Sequence, residues 1–163
     1  MKRTDGQWML NFEIQGAERE NVLSRAGEIL SRWGLVMPPG DPLTPHFGLN
    51  DYDRIGEIEY WVVNDRENSY CGKFLFLFEN QRCPAHFHRI KHETFFMIRG
   101  SVNMTVDCQD RLLRAGETLA MPPLQRHTFA AIGGAALILE ISLPSMANDN
   151  FFDDQRIGKS GIL

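Results

Sequence analysis

Between Pro84 and Glu93 the chain reads PAHFHRIKHE, and the spacing inside this stretch decides the fold. His86 and His88 are two residues apart, so on a strand both imidazoles leave the same face and can converge on one ion. Strict alternation would send Glu93 to the opposite face, but a tight turn over 89–92 starts a new strand and returns its carboxylate to the interior. His92 is then expected to face solvent, because neighbouring strand residues point oppositely. A second stretch, RAGETLAMPPLQRHTF (114–129), turns at Pro122 and Pro123 just before a strand that carries His127. Three imidazoles and one carboxylate, from His86, His88, His127 and Glu93, suit a divalent ion such as Mn²⁺, Fe²⁺, Ni²⁺, Co²⁺ or Zn²⁺. Four protein ligands leave two positions of an octahedron open.

Outward from these stretches, short β-prone runs alternate with Gly, Pro, Asn and Asp: 57–63, 72–79, 94–99, 102–107, 118–121, 127–131 and 135–142. Such spacing predicts an antiparallel sandwich or small barrel. The run KFLFLF (73–78) is apolar on both faces, so it is expected to be covered on its outer side by a helix or a second subunit. Residues 17–34 supply that helix, with Val22, Ala26, Ile29, Leu30 and Trp33 at helical spacing and Gly34 placed to stop it. Residues 37–47 hold four of the chain's eight prolines and form a rigid extended connection. His46, inside that connection, is expected to be an ordinary loop residue. The N-terminal region over 1–47 thus packs on a barrel over 48–163, as one structural domain of 163 residues.

The net charge is −4 with no basic stripe, which argues against nucleic acid. The longest apolar stretches, 74–78 and 129–139, are far short of the roughly 20 residues that cross a bilayer, and the N-terminus lacks a secretory signal. A cytoplasmic protein is expected. Cys71, Cys83 and Cys108 are odd in number and form no CxxC pair, so reduced thiols without a nucleophilic role are expected.

The two stretches resemble the paired motifs of the cupin superfamily, a small jelly-roll-like β-barrel. His86, His88, Glu93 and Gly100 match its first motif, with Asn80 in place of the leading Gly. Gly116, Pro122 and His127 match the second, with Leu124 and Ala131 in place of its Gly and Asn. The segment YCGKFLFLFENQRCPAHFHRIKHETFF (70–96) resembles D-lyxose isomerases and related cupin sugar isomerases, at Tyr70, Cys71 and Lys73 and through the string from His86 to Glu93. Glu140, Ser142, Asp149, Asn150 and Phe152 extend the likeness.

That resemblance implies a divalent-metal-dependent aldose–ketose isomerase of the D-lyxose/D-xylulose or D-mannose/D-fructose type, with Mn²⁺ as the expected ion, a metal-stabilised enediol, a sugar substrate and a homodimer. Glu140 is the expected proton carrier, because an acid within the apolar strand ALILEIS is costly to bury unless it faces a wet cavity or a partner. Lys73, also in an apolar strand, is the expected second catalytic residue, polarising or protonating sugar oxygens. Lys91 matches the family string, while its turn position equally allows exposure. Phe151 and Phe152 imply that part of the acidic tail docks, over the barrel mouth or on a partner subunit. An Fe²⁺ oxygenase and a non-catalytic sugar-binding module are the alternatives.

Overall fold

The helix α1 (Gly16–Arg32) is the first regular element of the computed structural model, which describes residues 12–163. The signal reading, and positions 1–11 of the N-terminal region, lie outside the described residues. The helix ends as its sequence predicts: Gly34 takes φ +70°, its N–H donates to the Ser31 carbonyl and the Leu35 N–H to the Leu30 carbonyl. This paired closure satisfies carbonyls that would otherwise be left open.

Ten strands follow: β1 (Ile58–Asp65), β2 (Tyr70–Leu77), β3 (Arg82–Phe87), β4 (Glu93–Arg99), β5 (Ser101–Val106), β6 (Gln109–Arg114), β7 (Thr118–Met121), β8 (His127–Ala131), β9 (Ala136–Ser142) and β10 (Phe151–Phe152). They form two five-stranded sheets, ordered β1-β2-β9-β4-β7 and β10-β3-β8-β5-β6. All neighbours are antiparallel. The fold is a mainly β jelly roll with one N-terminal helix, as the strand spacing predicts.

The doubly apolar run 73–78 explains how the layers stack. Leu75 and Leu77 point between the sheets and pack with Phe95, Met97, Val102, Met104, Phe129 and Ile138. Phe76 points outward, where Val22, Ala26 and Leu30 of α1 cover it together with Ile58 and Tyr60. The helix is therefore the cover for this strand. The Pro-rich connection runs along the free edge of β1, where Leu43 and Glu59 exchange both backbone hydrogen bonds.

Two strands carry no legible pattern. The segment QDRLLR of β6 is mostly exposed and lies at a sheet edge, so it shows no apolar alternation. A two-residue turn joins it to β5, with Asp107 and Cys108 both at positive φ. That turn type favours Asn-Gly, which is absent here. The two-residue β10 is too short for periodicity; it pairs with β3, so the tail docks on its own barrel.

Candidate active site and metal centre

β3 and β8 pair so that His86 stands directly opposite His127, and His88 follows the end of β3 on the same face. One ring nitrogen from each of His86, His88 and His127 lies within 4.8 Å of the other two. Glu93 opens β4 on the facing sheet. Its Oε1 is 3.4 Å from His88 Nε2 and its Oε2 is 3.3 Å from His127 Nε2. All four side chains are buried, while His92 is exposed as its parity predicts.

Each imidazole is fixed through its other nitrogen. Nδ1–H of His86 donates to the Pro84 carbonyl at 2.8 Å, that of His88 to Asp149 at 2.7 Å and that of His127 to Gln125 at 3.1 Å. A carbonyl only accepts, so Nδ1 carries the proton and Nε2 keeps its lone pair. His88 Nε2, His127 Nε2 and Glu93 Oε2 are buried with no hydrogen-bond partner among the described residues. Buried polar atoms are normally paired, so unpaired donor atoms converging on one point fit a divalent cation. Burial, followed by the neighbouring His127 and His88, holds His86 well below the usual imidazole range, in the neutral form that a metal requires. Burial alone would push the Glu93 carboxyl up, but the adjacent Lys91 ammonium outweighs it and holds the group well below the usual range.

From Glu93 a chain of alternating charges crosses the barrel. Lys91 Nζ lies 2.5 Å from Glu93 Oε1 and 2.9 Å from Glu140 Oε1. Glu140 Oε2 is 3.5 Å from Lys73 Nζ, which is 3.3 Å from Glu59 Oε1. The Ser142 hydroxyl donates to Glu140 Oε1 at 3.0 Å. Lys73 and Glu140 are cross-strand partners on β2 and β9, and both are buried. Burial works to lower Lys73, yet the carboxylates of Glu140 and Glu59 overcome it and hold its ammonium well above the usual value. Glu59, Lys73, Lys91, Glu93 and Glu140 line, with His86 and His88, one cavity of ≈ 230 Å³.

A cupin-domain model matches residues 76–142. The D-lyxose ketol-isomerase of Thermofilum sp. is 30% identical over 139 residues, covering 68% of this chain and 76% of that protein. The chain belongs to the D-lyxose ketol-isomerase family. The family member from Cohnella laeviribosi is 24% identical over 181 aligned positions, spanning 92% of this chain and 98% of its own. The L-ribose isomerase of Cellulomonas parahominis, solved with L-ribose, shares the fold with a TM-score of 0.77 at 16% identity, over 93% of this chain and 97% of that one.

In this D-lyxose ketol-isomerase relative the structure decides what the sequence left open. Lys91, for which the sequence equally allowed an inward and an exposed position, is buried. The reason is Asp149, whose carboxylate accepts the backbone N–H groups of Arg89, Ile90 and Lys91 at 2.9 to 3.2 Å and so rolls the bend until Lys91 points inward. The same residue's carbonyl holds His88. Glu57, Glu59 and Trp61 also line the cavity, on the inner face of the β1 segment whose outer face carries Ile58 and Tyr60. Acids alternating with apolar residues were the available signal, the same one that marks Glu140. His46 stays an ordinary loop residue in role: its Nδ1 accepts from the N–H groups of Gly48 and Asn50. Among the thiols, Cys71 and Cys83 are buried and Cys108 is exposed.

Proposed function

We propose that this protein is a divalent-metal-dependent aldose–ketose isomerase acting on a D-lyxose/D-xylulose or D-mannose/D-fructose pair. The observation that carries the reading is the position of Glu140, a buried carboxylate between two ammonium groups in the cavity that His86 and His88, two of the three convergent imidazoles, also line. The names of the related D-lyxose ketol-isomerases support the substrate class.

His86, His88, His127 and Glu93 would hold the ion, with Mn²⁺ as first choice among Mn²⁺, Zn²⁺, Fe²⁺, Co²⁺ and Ni²⁺. When bound, the ion supplies Lewis-acid polarisation of the sugar carbonyl and its neighbouring hydroxyl. Glu140 takes the proton from C2 of the aldose; the C–H electron pair becomes the C1–C2 double bond and the carbonyl π pair moves onto O1. Glu140 then returns its proton to C1 while the O2 hydroxyl proton passes to O1, giving the ketose. Lys91 balances the charge of Glu140 and Glu93 and fixes the direction from which Glu140 approaches. Lys73, held as an ammonium, donates hydrogen bonds to sugar oxygens and polarises them without giving up its proton.

Three free thiols and the absence, among the described residues, of a helix long and apolar enough to cross a membrane fit a cytoplasmic location. Exposed Val62 and Ile141, on the outer face of the first sheet, support a homodimer. Light scattering tests the dimer. The activity is tested by incubating Mn²⁺-loaded protein with aldoses in deuterated water without oxygen. Ketose should form with deuterium at the carbon that receives the proton. Failure to convert any aldose, or conversion only when oxygen is admitted, would sink the isomerase reading in favour of binding or oxygenation.

A further inference from the structure

The β1 side of the cavity holds two carboxyl groups that the reaction above does not use. Glu57 is 3% exposed and Glu59 9%, and both line the cavity from one face of the chain entering β1. Burial and the neighbouring Glu59 carboxylate push the Glu57 carboxyl up, toward its protonated form. A protonated Glu57 can donate to Glu59, whereas two ionised carboxylates, each only accepting, cannot hydrogen-bond. Glu59 spends its other contact on Lys73. Glu57 Oε2 is buried with no hydrogen-bond partner among the described residues, and on the same face the Trp61 indole N–H is in the same condition. A buried polar atom left unpaired costs about 1–3 kcal/mol, so two of them lining one cavity describe a ligand that both accepts and donates. Hydroxyl groups do so.

The charges around Glu57 define which hydroxylated ligand fits. It faces Glu59 on its own strand, Lys73 on β2, Cys83 on β3, Glu140 on β9 and Tyr52 in the preceding loop. The lysines Lys73 and Lys91 are already engaged with carboxylates, and Arg66, the one arginine that lines the cavity among the described residues, is exposed. A phosphate placed on this side would meet carboxyl groups beside an ammonium, Lys73, whose charge Glu59 and Glu140 already balance. An uncharged hydroxyl meets a donor and an acceptor.

We propose that Glu57 and Glu59 form a one-proton carboxyl pair that binds a terminal hydroxyl of an uncharged sugar through Glu57 Oε2 and excludes phosphorylated sugars. The pair is a specificity device, and it rests on the sugar-isomerase reading for its substrate class. Burial first, then the negative charge of Glu59, set against the Lys73 ammonium, push the Glu57 carboxyl up to about 8, so the shared proton is retained at neutral pH.

The test uses Mn²⁺-loaded full-length protein and calorimetric titration with arabinitol and with arabinitol 5-phosphate, neither of which can be isomerised. Wild type should bind the alditol and bind its phosphate at least about tenfold more weakly. Glu57→Leu should lose about 5- to 150-fold in alditol affinity, the equivalent of one buried polar group left unpaired. Glu57→Gln should stay within about fivefold and, with substrate, raise KM while keeping kcat, because the amide still donates and accepts. The infrared difference between wild type and Glu57→Gln at neutral pH should contain the carbonyl stretch of a protonated carboxylic acid.

Alditol affinity unchanged in Glu57→Leu, a phosphate bound as tightly as the alditol, no alditol binding by wild type, or a missing carbonyl stretch each overturns the pair. Should Glu57→Leu not fold, the KM and infrared results for Glu57→Gln decide. Turnover of aldoses by wild type judges the isomerase reading separately. Turnover with Glu57-independent alditol affinity removes only the pair; Glu57-dependent alditol binding without turnover removes only the isomerase.

Discussion

Glu140→Gln preserves size and the hydrogen bonds to Lys91 and Ser142 while removing the basic oxygen pair. Under the proposed mechanism its turnover should fall about 10²- to 10⁴-fold, the usual weight of a general base, with Mn²⁺ affinity nearly unchanged. Steady-state kinetics beside a metal titration check this; near-normal turnover would transfer the proton to another group. Leu124 stands where the cupin motif has Gly and takes φ +71°, with its N–H donating to the His88 carbonyl at 2.7 Å. Side chains with a Cβ pay about 1–2 kcal/mol in this left-handed region, and Leu124 is 67% exposed, so little burial offsets the cost. Leu124→Gly should therefore stabilise the protein by about 0.5–1 kcal/mol after the entropic penalty of glycine, read from the urea midpoint. Asn80, at φ +66°, replaces the other motif Gly with a residue that tolerates this conformation.

Among the elements, the short 3-10 turn Ala147–Asp149 governs the bend between β3 and β4, because Asp149 receives three backbone N–H groups from that bend and its carbonyl fixes His88. Asp149→Ala leaves those N–H groups unpaired and frees the bend that carries His88 and Lys91. Metal affinity should drop about 10- to 100-fold, the common effect of removing a group that orients a ligand, and turnover should drop with it. Calorimetry with Mn²⁺ checks the claim, and affinity equal to wild type would refute it. The tail reinforces the same bend: Phe151 stacks on Phe87, and the Arg89 guanidinium sits 4.2 Å from the Phe151 ring centroid. The helix, the same-face pair His86/His88 and most strands follow from local periodicity. β6 does not, since an exposed edge strand has no buried face to mark it, and the inward turn of Lys91 does not, since its cause lies 58 residues away in Asp149.

Across the whole molecule, two proton and metal linkages should be measurable. Glu57 is raised from 4.5 to about 8 in the folded chain, so between those values the folded state keeps a proton that the unfolded chain has released. Its contribution is complete below about pH 4.5 and is lost as pH rises through about 8. Glu57→Gln removes this slope, so unfolding free energies should shift in favour of the variant between about pH 5 and about pH 8. A gap independent of pH would contradict the assignment. If the four proposed ligands hold an ion only in the folded chain, Mn²⁺ at about 100 times its Kd should stabilise by about 2.7 kcal/mol and raise Tm, an effect that His127→Ala should abolish.

The sequence by itself determined the barrel, its helical cover and the candidate ligands, because strand parity, helical spacing and motif spacing are local properties written in neighbouring residues. It also marked Glu140 and Lys73, since a charge inside an apolar strand is a local anomaly. Only the tertiary structure decided how these groups are joined: the alternation from Glu93 through Lys91, Glu140 and Lys73 to Glu59, and the burial of Glu57 beside them in the same cavity. Those contacts link β1, β2, β4 and β9 with the bend before β4. Whether a carboxyl group meets an ammonium or a second carboxyl depends on which strands the closed barrel brings side by side, and charge interactions act across that distance in space irrespective of separation along the chain.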